Sequence, residues 1–204
     1  MSTPPTVKDD VFQEQVIRAA QKLFQQHGLH KVTMDDVAKA VGKGRSSLYY
    51  YYKSKEEILD AVMDVEISEI LSWIKQAVDK ETTVEGKICA FCTAKLRALQ
   101  KRKALYNTVD MEKDTDEMVY RAKAAHAIRK RYMKQEGALL GQILSFGMNK
   151  GVLRQLNQKD QEILIFVLLS GLKGLVKEMI FEKDENLEPA IKTLSHMIVH
   201  GLKK

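Results

Sequence analysis

A chain of 204 residues, 45% apolar and 29% charged, can bury the core of one small and one larger domain, and it has the balance of a soluble globular protein rather than a disordered or fibrous one. Its best apolar run, residues 163–172, stops at Lys173, short of the roughly eighteen residues a membrane span needs, and residues 1–10 lack the apolar stretch and cleavage site of a secretory signal. A cytoplasmic protein without membrane contact is therefore expected. The formal charge of +6 is compatible with a polyanionic partner, and Cys89 and Cys92, three apart, suit neither a disulfide framework nor a complete zinc site, so no cofactor is expected.

Prolines occur only at 4, 5 and 189, which leaves nearly the whole chain free to be helical, and strand-like alternation is absent. Phe12, Val16, Ala19, Ala20, Leu23 and Phe24 form a helical stripe that closes at Gly28. Thr33 with Asp36 has capping-box spacing ahead of Met34, Val37, Ala38 and Val41, so a short second helix is predicted, stopped by Gly42. A third short helix follows from Gly44 or Arg45 to Tyr51. Ser54 with Glu57 opens a long fourth helix through Val78, and helical patterning continues over about 83–105, 116–149, 158–181 and 187–202, with a broken piece near 106–114. An all-α fold of about nine helices is expected. In it an N-terminal helix-turn-helix domain, residues 1–55, is joined by the long helix to a helical bundle, residues 56–204.

Between Lys39 and Lys55 stand five basic residues, Lys39, Lys43, Arg45, Lys53 and Lys55, and no acidic one. A short helix, a glycine turn and a second short helix carrying this charge is the arrangement that lets the second helix enter a major groove. At about 100° per residue, Leu48 and Tyr52 share one face of that helix and can pack inward. Lys43, Arg45, Ser46, Tyr49 and Tyr50 then point outward, a set suited to phosphates and base edges.

The run from Thr33 to Glu57, TMDDVAKAVGKGRSSLYYYYKSKEE, closely resembles the signature of the TetR family of regulators. The resemblance implies a dimeric, ligand-responsive DNA-binding protein, most often a repressor on a palindromic operator. It implies that Thr33, Ser47 and Tyr49 meet the DNA backbone, that Lys55 grips a phosphate, and that Arg45, Ser46 and Tyr50 face bases. The sequence departs from the family at Lys43, where a small apolar residue is usual, and at Gly44, where a serine often caps the third helix. Lys43 adds charge beside the backbone, and Gly44 leaves that helix without a side-chain cap.

The same resemblance implies that helices four to eight enclose an effector pocket, for which Trp73, Phe91, Tyr106, His126, Met133 and Phe166 are the candidate lining residues. It also places the last two helices in a dimer interface, with Leu168, Gly171, Leu172, Leu175, Leu194, Met197 and Ile198 as the expected contacts. Two further acid-free basic runs, 95–103 and 121–134, are solvated faces unless a cation among them reaches inward toward an anionic effector such as a carboxylate-bearing metabolite. His196 and His200 have two-histidine spacing but lack a third ligand, so no metal is expected. No nucleophile and base are paired, which argues against an enzyme. The alternative is a DNA-bound protein of the same fold whose C-terminal domain recruits a protein partner.

Overall fold

The computed structural model describes residues 7–29, 31–101, 115–182 and 188–204. Among them are eight helices: α1 (Val7–His27), α2 (Met34–Ala40), α3 (Arg45–Tyr51), α4 (Lys55–Asp79), α5 (Val84–Lys101), α6 (Thr115–Asn149), α7 (Gln158–Glu182) and α8 (Glu188–Gly201). The fold is all-α as expected, and the broken piece expected near 106–114 lies outside the described residues. The only bridge of β type among the described residues pairs Leu153 with Lys203. The chain forms two compact units. One holds α1–α3, α4 as far as Ser68 and α6 as far as Ile128; the other holds the remainder of α4 and α6 with α5, α7 and α8.

In the first unit, α1 begins earlier than its apolar stripe because Asp9 and Asp10 lie in its first turn, where carboxylates favour the positive end of the helix dipole. Val16, Ala20 and Phe24, spaced by four, bury the inward face. The start of α2 is the predicted capping box: the Thr33 hydroxyl accepts from the Asp36 amide at 3.2 Å, and the Thr33 amide donates to the Asp36 carboxylate at 2.9 Å. Its end is a Schellman turn, in which the amides of Lys43 and Gly42 donate to the carbonyls of Ala38 and Lys39 at 3.0 Å each. That turn requires the positive φ of 65° at Gly42, which a side chain would resist.

α4 starts at Ser54, whose hydroxyl accepts from the Glu57 amide at 3.3 Å. The reciprocal arm reaches one residue further than a capping box, since the Glu57 carboxylate accepts from the Lys53 amide at 2.7 Å. Ile58, Val62, Met63 and Ile67 bury its inner face, and Gln21 of α1 donates to the buried carboxylate of Glu66.

In the second unit, α5 packs on α8, and Ile88, Leu140, Ile143, Leu144, Leu164, Ile165, Leu168 and Ile198 close around a void of only about 10 Å³. That is too small for a ligand, so this seam is core. Gly147 lets α6 lie close: a Cβ there would stand 2.7 Å from Leu153 and 3.0 Å from Val84.

One charged pair interrupts the apolar packing. Lys95 of α5, 6% exposed, donates to the Glu136 carboxylate of α6, 1% exposed, and its ammonium also lies 4.8 Å from the centre of the Tyr132 ring. Removing one partner would leave an uncompensated buried charge, whereas removing both would not. Lys95→Met should therefore destabilise by about 3–5 kcal/mol in urea unfolding, and Lys95→Met with Glu136→Leu should recover most of that loss. A single variant no weaker than the double would contradict this account of the pair.

Candidate nucleic-acid interface

α3 is seven residues long and carries no side-chain cap, since its N-cap is Gly44 with φ −72° and ψ 155°. The absent serine cap expected from the sequence is thus a property of the fold. Leu48, fully buried, and Tyr52, 8% exposed, anchor its inner side as predicted. A second anchor lies at Tyr51, whose hydroxyl donates to Asp9 of α1 and whose ring meets that of Phe12 at 4.9 Å. The hydrogen bond to Asp9, followed by burial, pushes the Tyr51 hydroxyl up to about 12, so it stays protonated as the donor.

With those side chains inward, Lys43, Gly44, Arg45, Ser46, Ser47 and Tyr50 are all exposed, and Tyr49 is half-buried. Tyr50 stands 72% exposed, an aromatic with no packing reason to be outside. Its ring meets Tyr51 edge-on at 4.9 Å, which fixes its direction. Thr33 is exposed at the start of α2. Of the sequence-derived DNA set, only Tyr49 and Lys55 are less than fully exposed.

Besides Thr33 in its capping box, Lys55, Arg45 and Tyr49 are already engaged within the chain. Lys55 donates from Nζ to the Leu29 carbonyl at 2.9 Å, tying the start of α4 to the turn after α1. Arg45 is shared between Asp35 of α2, at 3.4 Å from Nε, and the Tyr49 hydroxyl, which accepts from Nη2 at 3.2 Å. The bond to Tyr49, then the charge of Asp35, raise the guanidinium above its usual range, so Arg45 is always a cation. Lys53 donates to the Tyr49 carbonyl at 3.1 Å. Asp35, Asp9 and Tyr51 were not singled out from sequence. For Asp35 the signal was a second acid in the first turn of α2, beside the one the capping box uses.

Among the described residues, the expected effector residues do not line one common cavity. Phe91 is fully buried in the core, Met133 is half-buried, and Trp73 is 44% exposed. Trp73 lines an open groove of about 740 Å³ between α4 and α5, with Lys80, Ala90, Ala94 and Arg97 among its other lining residues. Phe166 stands 62% exposed on α7. Tyr106 lies outside the described residues, and the surroundings of His126 are not described. Of the basic runs, Lys95 does turn inward, but toward Glu136.

The expected interface residues divide as well. Leu168 and Leu172 are buried within their own chain, and Leu168 lines the closed seam with residues of α5 and α6. Ile198 lines the same closed seam, and Leu175 and Leu194 are half-buried. Gly171 is exposed with nothing within 4 Å of an added Cβ, and Met197 is 66% exposed. Among the described side chains of α7, Ile163, Phe166 and Val167 are exposed and apolar. Among the described residues no group of three possible metal ligands occurs; His196 pairs with Glu85 at 3.3 Å and its ring lies 4.0 Å from that of His200. No helix among them is long and apolar enough to cross a membrane.

A capped short helix, a glycine turn and a second short helix with a polar, basic outer face form a helix-turn-helix module, the mark of DNA-binding transcription regulators. Residues 16–62 match the family described as bacterial regulatory proteins, tetR family. Over 164 residues the chain is 25% identical to the uncharacterized HTH-type transcriptional regulator YhgD of Bacillus subtilis, across 79% of this chain and 80% of that one. Its fold is similar to that of the fatty acid degradation regulator FadR from Bacillus halodurans, with TM-score 0.66 and 21% identity over 97% of both chains. It is also similar to a TetR transcription regulator from Haloarcula marismortui, with TM-score 0.70 and 18% identity over 96% of this chain and 100% of that one. Residues 16–62 thus match the TetR-family DNA-binding region, and the chain as a whole is similar in fold to TetR-type regulators.

The two hydrogen bonds from Thr33 hold the Asp36 carboxyl below the usual 3.8 of an aspartate. A depressed folded value means the contribution is fully present above about pH 4 and is lost as pH falls through the lower folded value. Unfolding measured between pH 6 and pH 2 should therefore show wild type more stable than Asp36→Asn at the upper end, the two converging toward the lower. A difference that stays constant with pH would contradict the capping role.

Proposed function

We propose that the chain acts as a homodimeric repressor: residues 1–55 read a palindromic operator, and residues 56–204 dimerise and bind a small-molecule effector that releases it. The observation that carries this reading is the outward set on α3, exposed while Leu48 beneath it is fully buried. In it Arg45, Ser46 and Tyr50 take base edges, with Arg45 suited to the two acceptors of a guanine. Thr33, Lys43, Gly44, Ser47 and Tyr49 take the backbone. Lys55 has donors to spare beyond the Leu29 carbonyl, enough to bridge to a phosphate.

The outer apolar face of α7, with Ile163, Phe166 and Val167 about half or more exposed and Gly171 and Gly174 uncovered, supports a seam against a second copy. Met197 of α8 adds to it. For the effector, the alanine-rich groove beside Trp73, with Lys80 and Arg97 on its walls, offers apolar surface next to cations. That chemistry suits an amphipathic carboxylate, and the likeness in fold to a fatty acid degradation regulator supports the same class. An effector acts by preferring an arrangement in which the two third helices no longer fit grooves about 34–36 Å apart. A preference of about 100-fold, or about 2.7 kcal/mol, is enough for useful release.

Selection of bound duplexes from a random pool at fixed salt tests the reading. A palindrome with half-sites about one helical turn apart is expected, and Arg45→Ala should weaken the selected site about tenfold and relax one base position. Phe166→Glu should reduce dimer content and, with it, binding to the full palindrome. Failure to enrich any palindrome would overturn the proposal.

A further inference from the structure

Asp35 and Arg45 are ten residues apart in sequence, yet the turn at Gly42 folds the first turn of α2 against the first residue of α3. The Asp35 carboxylate lies 3.4 Å from Nε and 3.5 Å from Nη1 of Arg45. The Tyr49 hydroxyl accepts from Nη2 at 3.2 Å, and the guanidinium carbon sits 5.3 Å from the Tyr49 ring centre. The arginine is thus held on two sides. Both charged side chains remain open to water, 61% and 47% exposed, so the pair is reversible rather than a lock. Asp36 next door is occupied by the capping box, in which Asp35 takes no part.

An unrestrained arginine at the front of a reading helix reaches any nearby phosphate, which raises affinity for every sequence alike. A restrained one gives up less rotamer freedom on meeting a guanine, whose O6 and N7 match its fork. A carboxylate beside it also repels phosphates. Resting on the reading of α3 as the DNA reader, we propose that Asp35 is a positioning residue that sets sequence discrimination: it holds Arg45 in a base-directed orientation and withholds it from phosphates.

The test compares the selected palindrome with a random-sequence duplex of equal length, using the full-length chain. Asp35→Asn keeps the side-chain shape and removes the charge; Asp35→Ser repeats the comparison with a second polar residue at that helix start. Both should tighten random-duplex binding about threefold or more, lower the selected-to-random affinity ratio by at least about threefold, and steepen the salt slope on random DNA by about 0.9 per protomer. In an Arg45→Ala background the same replacements should leave the ratio nearly unchanged. Loss of a negative charge alone would move both duplexes together, so an unchanged ratio in the Asp35 variants overturns the proposal. A ratio that falls equally in the Arg45→Ala background also overturns it, while leaving α3 as the reader. If Arg45→Ala and Lys43→Ala bind every duplex as wild type does, α3 is not the reader and the proposal falls with that reading.

Discussion

The burial of Leu48 is the constraint on which the reading surface depends. A helix of seven residues without a side-chain cap cannot sustain itself in water, because nucleation costs more than so few hydrogen bonds return. α3 exists because Leu48 is fully buried and Tyr52 nearly so, with the Tyr51 hydroxyl fastened to Asp9 of α1. Once Leu48 points inward, helical geometry turns Ser46 and Tyr50 about 160° away from it and leaves Arg45 and Tyr49 together on a flank. The surface proposed to meet DNA is thus the complement of the surface that builds the domain.

Placement of charge follows from the same packing. Arg45, Lys53 and Lys55 each have a partner within the chain: the Asp35 carboxylate, the Tyr49 carbonyl and the Leu29 carbonyl. Cations held in this way lose less freedom on binding than cations on loose side chains, so part of the ordering cost is met during folding. Gly42 makes the arrangement possible, since its positive φ sets the angle at which α3 leaves α2 and brings Asp35 to Arg45.

Much of this was legible in the sequence, and for local reasons. Thr33 with Asp36, Gly42, and Ser54 with Glu57 mark helix ends through interactions spanning three or four residues, so the limits of α2, α3 and α4 emerge from the chain itself. The inward pair on α3 emerges from a single rotation angle. What the sequence hid is set by tertiary pairing. Counting charge from Lys39 to Lys55 found no acid, because the acid that faces Arg45 comes from the preceding helix. Lys95 and Glu136, 41 residues apart, meet only once α5 lies against α6.

The helices of the second unit were legible in extent and not in facing. α7 is apolar on more than one side, so periodicity alone cannot say which leucines turn inward. The structure buries Leu168 and Leu172 within the chain and leaves Phe166 and Val167 exposed. Where a helix is covered on two faces, one by its own chain and one by a partner, only three-dimensional packing separates them.

The most direct test of the central claim, that the outer face of α3 is what meets DNA, is amide hydrogen exchange with and without the selected duplex. Protection should increase across the α2–α3 turn, through α3 and at the start of α4, with the first turn of α2 also slowed. Unchanged exchange there, with protection arising instead in α5 or α7, would contradict it.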